Sequence, residues 1–187
     1  MTTGARIREA ALRRFAAQGY AATSLAEIAS DCGIRKSSIY TYFGSKQEMF
    51  LSLVKQSAHA ELAYATGLVL RKGSVPESLA GLLKALPDRF RDSACFRFWI
   101  QTIYLPPLVV AAEVREYEKI YSAGLGAALQ AALEKGLDAP EAKRAFLARA
   151  YLGILKGLYA DLLLGNNDDT ESMAETMWGM YLCALTF

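Results

Sequence analysis

Apolar residues recur at helical spacing along the whole chain, and no strand-like alternation persists anywhere in it. That pattern excludes sheet-based folds, because a strand points successive side chains to opposite faces while a helix returns to one face every turn. The first stretch, about Ala5 to Gln18, sets Ile7, Ala11 and Phe15 on one side. Gly19 then stands where a glycine can end a helix by taking a left-handed backbone. A second stretch, about Leu25 to Cys32, aligns Leu25, Ile28, Ala29 and Cys32. Its entry, "SLAE", reads as a capping box in which Ser24 serves the first free amides and Glu27 reaches back. Gly33 breaks this helix, and a short third one covers about Lys36 to Phe43. "SKQE" repeats the box with Ser45 and Glu48 and opens a long fourth helix toward Ala65. Beyond residue 70, "RKGSVP", Pro87, Pro106–Pro107, "KGLDAPE" and "GNNDDT" separate helices expected at roughly 76–86, 88–104, 107–135, 140–164 and 171–186. The expectation is an all-α chain of about nine helices.

Several function classes drop out. Cys32, Cys95 and Cys183 lie far apart without CxxC spacing, and His59 is the only histidine, so neither a zinc site nor a disulfide framework is expected. There is no nucleophile motif, no glycine-rich phosphate loop and no cluster of carboxylates, since Glu113, Glu116 and Glu118 follow a helical surface pattern. A non-enzyme without metal or cofactor is expected. The most apolar run, "AFLARAYLGILKGLYADLLLG", is broken by Arg149, Lys156 and Asp161, and nothing reaches the ~18 uninterrupted apolar residues of a membrane span. Met1–Thr3 does not begin a secretory signal, so a cytoplasmic protein with no membrane association is expected.

The charge distribution is more informative than its total. Residues 1–50 carry seven Lys and Arg against four Asp and Glu, a net of +3, which leaves −1 on the rest of a chain whose net is +2. A basic end on a near-neutral body suits a chain that holds a polyanion at one end only. Two short helices joined at a glycine, the second bearing small polar and basic side chains, have the helix-turn-helix form. On that second helix Ile39 and Phe43 face inward, Ser37 and Thr41 fall opposite, and Ser38 and Tyr40 flank them. Lys36 and Tyr40 can reach base edges, while Ser24, Tyr42 and Lys46 are placed for phosphates near helix N-termini. Double-stranded DNA is the partner this reading implies.

The segment "IREAALRRFAAQGYAATSLAEIASDCGIRKSSIYTYFGSKQEMF" (residues 7–50) resembles the N-terminal domain of the tetracycline-repressor (TetR) family. Phe15, Gly19, Tyr20, Thr23, Ser24, Ile28, Ala29, Gly33, Tyr40, Phe43, Ser45 and Lys46 stand in register with its "F…GY…TS…IA…G…Y.YF.SK" skeleton. The resemblance covers about a quarter of the chain. It implies a helix-turn-helix DNA-binding domain at 1–48 and a ligand-binding and dimerisation domain at 49–187. It also implies a homodimeric repressor on a (pseudo)palindromic operator, released by a small-molecule effector. By position, its recognition-helix contacts fall on Lys36, Ser37, Ser38, Tyr40, Thr41 and Tyr42, and its phosphate contact on Lys46. Two residues depart from the family pattern. Arg35 stands where a small capping residue is common, and so becomes a candidate extra contact, while Ser37 replaces a frequent glycine.

In the body, Phe96, Phe98, Trp99, Tyr104, Tyr117 and Tyr121 crowd around Pro106–Pro107. The residues alone allow an ordinary core or a small-molecule pocket, and the resemblance favours the pocket. Its expected lining is Phe96, Trp99, Gln101, Tyr104, Tyr117 and Tyr121, around a small hydrophobic or aromatic ligand. A body that answers to a protein partner is the alternative. Near the end, Ala150, Gly153, Gly157, Ala160 and Leu164 make one small-residue stripe, and Met173, Met177, Met180 and Ala184 make a second. Interior helix glycines cost about 1 kcal/mol each relative to alanine, so close approach of another helix is the expected compensation. The resemblance makes these two stripes a four-helix dimer interface.

Overall fold

The computed structural model describes residues 2–165 and 167–186; Met1, Phe187 and Asn166, inside the expected "GNNDDT" break, lie outside them. Among the described residues there are ten α-helices and no strand, so the all-α expectation holds. They are α1 (Thr3–Ala22), α2 (Leu25–Asp31), α3 (Lys36–Ile39), α4 (Lys46–Val69), α5 (Val75–Lys84), α6 (Leu86–Asp92), α7 (Ala94–Tyr104), α8 (Ala111–Gly136), α9 (Glu141–Leu163) and α10 (Asn167–Thr186). A 3-10 turn, Leu108–Val110, follows the double proline and leads into α8. The single helix expected over 88–104 is divided, because the Ser93 hydroxyl accepts from the Phe96 amide and starts α7 afresh. No single helix among the described residues is long and apolar enough to cross a membrane.

The chain forms two compact units. The first takes Met1–His59 with Ser93–Glu118, so the head expected at 1–48 lies within a unit that also includes α7. Aromatic packing explains the addition. The Phe98 ring lies 5.2 Å edge-on from Phe50, and Phe15 lies 5.0 Å edge-on from Phe50. All three are buried, and each fully buried Phe contributes about 1.5–3 kcal/mol. α1 runs past Gly19 after a kink: this residue has φ 77° and ψ 176°, a positive-φ region essentially reserved for glycine. It therefore ends the regular helix as expected, with an extended ψ in place of a left-handed cap.

The second unit takes Ala60–Asp92 with Lys119–Phe187. Leu79, Leu82 and Leu83 of α5, Leu125, Leu129 and Leu133 of α8, and Leu155 and Leu158 of α9 are buried there. Its buried phenols are satisfied: Tyr151 donates to the Leu79 carbonyl at 2.6 Å and Tyr181 to the Leu147 carbonyl at 3.1 Å. The Tyr121 and Tyr159 hydroxyls lie 3.0 Å apart, and burial pushes Tyr121 up to about 12. None of the three cysteines is in a disulfide; Cys32 is buried, Cys95 half-buried and Cys183 exposed.

Candidate nucleic-acid interface

The turn between α2 and α3 is built by its glycine. Gly33, at φ 64°, lets its own amide donate to the Ser30 carbonyl and the Ile34 amide donate to the Ala29 carbonyl, both at 3.0 Å. These are the paired bonds of a Schellman cap, and they satisfy the carbonyls that α2 would leave open. At the other end of α2 the expected capping box is complete. The Glu27 amide donates to the Ser24 hydroxyl at 3.2 Å, and the Ser24 amide donates to the Glu27 carboxylate at 2.8 Å. The second expected box is only half formed. The Glu48 amide donates to the Ser45 hydroxyl, but the Glu48 carboxylate accepts from the Gly44 amide, one residue earlier than expected.

α3 is shorter than the expected 36–43. After Ile39 the turn tightens, with the Tyr40 and Thr41 amides donating to the Ser37 and Ser38 carbonyls. The inward anchors are as expected: Ile39 and Phe43 are buried. Arg35, Lys36, Ser37, Tyr40, Thr41 and Tyr42 are exposed and Ser38 is half-buried, which leaves a polar, cationic row turned to water. Arg35 makes no side-chain cap bond at the start of α3, as its mismatch with a capping role suggested. The Tyr42 ring lies along the start of α1, where a Cβ on Gly4 would come within 3.2 Å of it.

Lys46 is more deeply engaged than expected. Its ammonium donates to the Thr23 carbonyl at 2.6 Å and sits 4.3 Å from the Tyr20 ring centroid. Burial lowers its proton affinity below the ordinary lysine value. The same nitrogen carries three donors, so a phosphate contact remains open to it. The Ser24 hydroxyl is engaged in the cap with both the Glu27 amide and the Glu27 carboxylate.

Arginines absent from the expected contacts hold this surface in place. Arg14 of α1 grips Asp31 of α2 with two bonds, at 2.7 and 2.8 Å, and reaches Glu27 at 3.2 Å. The Arg14 bonds hold the Asp31 carboxyl below its ordinary value, and the Ser24 bonds do the same for Glu27. Arg6 donates to the Cys32 carbonyl at 2.8 Å, and the Arg8 guanidinium lies 5.4 Å from the Phe43 ring. Part of the basic excess at this end is therefore structural.

The expected ligand residues are divided between the two units. Phe96 and Trp99 are buried in α7 of the first unit, Gln101 and Tyr117 are half-buried there, and Tyr104 is exposed. Tyr121 belongs to the second unit. Among the described residues, a surface cavity touches Tyr117, and none of the described cavities holds the group. The aromatic density of α7 is used in packing, as the Phe98 contacts show. Sequence reasoning also missed a buried ion pair in the second unit, Glu61 of α4 with Arg89 of α6. The available signal was a glutamate on the apolar stripe Val54, Ala58 and Ala65.

The residues expected at a dimer face do present apolar surface. Leu164 is 76% exposed and Met180 72%, with Met173 and the neighbouring Phe146 also exposed. Gly153 and Gly157 are exposed, Ala150, Ala160, Met177 and Ala184 are half-buried, and a Cβ on Gly153 would meet nothing within 4 Å.

Residues 7–53 match a family model described as bacterial regulatory proteins, tetR family. Over 94 residues the chain is 39% identical to the uncharacterized HTH-type transcriptional regulator YerO of Bacillus subtilis (strain 168), across 46% of this chain and 30% of YerO. It is 26% identical over 178 residues to YfiR, an uncharacterized HTH-type regulator of the same strain, across 92% of this chain and 86% of YfiR. With YezE of that strain matched over 46% of its own length, the chain spans less than half of the first two relatives. Among solved structures, Salmonella enterica GusR superposes with a TM-score of 0.73 at 20% identity, over 99% of this chain and 96% of that one. FadR from Bacillus subtilis, in complex with stearoyl-CoA, superposes with a TM-score of 0.69 at 16% identity, over 95% and 96%. At these identities the two structures speak for the fold alone.

Proposed function

The chain belongs to the tetR family of bacterial regulatory proteins through residues 7–53, and from that premise we propose that it is a homodimeric DNA-binding regulator of transcription. The observation that carries the proposal is the exposed row of Arg35, Lys36, Ser37, Tyr40 and Thr41 over the buried anchors Ile39 and Phe43. Small side chains allow close approach to a major groove, while Lys36 and Tyr40 reach base edges. Ser24, Ser38, Tyr42 and Lys46 hold phosphates. Selection from a pool of random duplex DNA at two salt concentrations tests this. An enriched (pseudo)palindrome is expected; weak, salt-sensitive binding without an enriched motif overturns it.

Two copies would meet through the exposed stripes of α9 and α10. Gly153 and Gly157 have no packing need within one chain, and an exposed Met and Leu surface of this kind marks an interaction site. Two heads on successive faces of DNA then multiply a weak half-site affinity. Repression is the mode of action, and a small-molecule effector held in the second unit releases the DNA. The stearoyl-CoA in FadR supports a small ligand for this fold, and Tyr121 is the expected ligand residue in that unit. The effector shifts DNA affinity only by its differential affinity for the two states, typically ~1–3 kcal/mol.

A further inference from the structure

Where α4 ends, α5 begins and α8 ends, the second unit opens a cavity of about 240 Å³. Val69, Leu70, Val75 and Ala132 give it apolar walls, while Arg71, Ser78 and Lys135 bring donors to it. No acidic side chain lines it. Glu77, next to it in sequence, accepts instead from the Ser74 amide at 3.3 Å in the cap of α5. Two glycines bring these groups together. Gly73, at φ 139°, reverses the chain between Arg71 and the start of α5. Gly136 lets the last turn of α8 lie against that start, because a Cβ on it would collide with the Val75 side chain, and Lys135 is carried to the cavity with it. Ser78 is 3% exposed, yet its hydroxyl has no hydrogen-bond partner among the described residues. A buried hydroxyl without a bond lowers stability, and an alanine would fill nearly the same space. Side chains on a helix lean toward its N-terminus, which for α5 is the cavity end. Neither Arg71 nor Lys135 has an acidic partner among the described residues, whereas Arg89 and Arg91 of the same unit are paired.

We propose that this cavity binds the phosphate monoester of a small apolar molecule. A monoester presents three terminal oxygens and a charge of about −1.5 to −2 at neutral pH. Those oxygens meet three groups, the Arg71 guanidinium, the Lys135 ammonium and the Ser78 hydroxyl, and the two cations match the charge. A carboxylate has one charge and two oxygens, so it leaves one of the three groups unmet. The start of α5 is already closed by its own capping box, so side chains hold the anion and the helix end does not. The cavity is smaller than the ~300–1,000 Å³ of sites for drug-sized ligands, so the ester group is short and rests on Leu70 and Val75. The site stands whether or not its ligand is the one that releases DNA.

The test titrates n-butyl phosphate, inorganic phosphate and pentanoate into the full chain by calorimetry, with thermal unfolding of the ligand-free variants beside it. n-Butyl phosphate should bind most tightly, inorganic phosphate more weakly for want of the apolar contact, and pentanoate at least about tenfold more weakly than the ester. Arg71→Ala and Lys135→Ala should each weaken n-butyl phosphate by at least about tenfold. Both side chains are exposed and unpaired among the described residues, so these variants should fold. Ser78→Ala should weaken binding several-fold and leave the thermal midpoint of the ligand-free chain undiminished, since its hydroxyl has no bond to lose. Lys72→Ala removes a charge from the same turn but outside the cavity, and should leave the affinity unchanged. No saturable binding of n-butyl phosphate overturns the proposal. Equal losses from Lys72→Ala and Arg71→Ala reduce the effect to general attraction by a basic surface and overturn it too. Undiminished binding by Ser78→Ala removes the buried hydroxyl from the site, and pentanoate binding as tightly as the ester rejects the phosphate class; either result overturns the proposal.

Discussion

At the scale of single residues, the candidate interface divides into side chains that face water and side chains already bonded within the protein. Lys36 and Tyr40 belong to the first group, and their replacement by alanine should change which DNA sequences are preferred, by about 1–3 kcal/mol per lost base contact. Selection from random duplexes with each variant checks this. Lys46 belongs to the second group through Thr23 and Tyr20. Lys46→Ala should weaken binding about equally across sequences, lower the salt slope by about 1, and lower the stability of the fold as well. An unchanged salt slope would remove its phosphate role. The acids behave in a definite direction with pH. Asp31 and Glu27 have folded proton affinities below their unfolded ones, so what they add to stability is fully present above the unfolded carboxylate range and is lost as pH falls through the folded values. Thermal midpoints should therefore drop as pH falls below about 4, and Asp31→Asn should flatten that drop.

At the scale of elements, the helix boundaries were legible wherever a local signal set them. Gly19, Gly33 and the Ser24–Glu27 box act within a few residues of themselves, and each stands where its residue type predicts. Ser24→Ala should cost about 1 kcal/mol through loss of the cap. Gly19→Ala should cost about 1–3 kcal/mol through backbone strain alone, because a Cβ there meets nothing within 4 Å. Denaturant midpoints measure both. What was not legible depends on partners distant in sequence. Nothing near Phe98 announces that it joins Phe15 and Phe50, nothing near Lys46 points to the Thr23 carbonyl, and Arg89 gives no local hint of Glu61. The division of α6 from α7 at Ser93 lies between these cases: the cap is local, but it sits inside a continuous apolar pattern. The role of the aromatic segment was not legible for the same reason, since composition does not distinguish rings that pack from rings that line a cavity.

At the scale of the whole molecule, the proposed function depends on two copies acting together. Met180→Asp places a charge in the proposed interface, on a side chain that is 72% exposed in the single chain. It should leave the helical content intact, yield a monomer by light scattering and weaken operator binding by more than tenfold, as the second half-site is lost. A dimer that survives this change would remove the α9 and α10 stripes from the interface. The cysteines bear on how such questions can be followed. Cys183 is exposed on α10 beside Ala184, whereas Cys32 is buried and Cys95 half-buried. A thiol-reactive nitroxide should therefore attach at Cys183 first. The native chain then carries its own spin label next to the face it is proposed to share, and the dipolar distance between labels becomes a direct record of pairing, of operator and of effector, without an engineered cysteine.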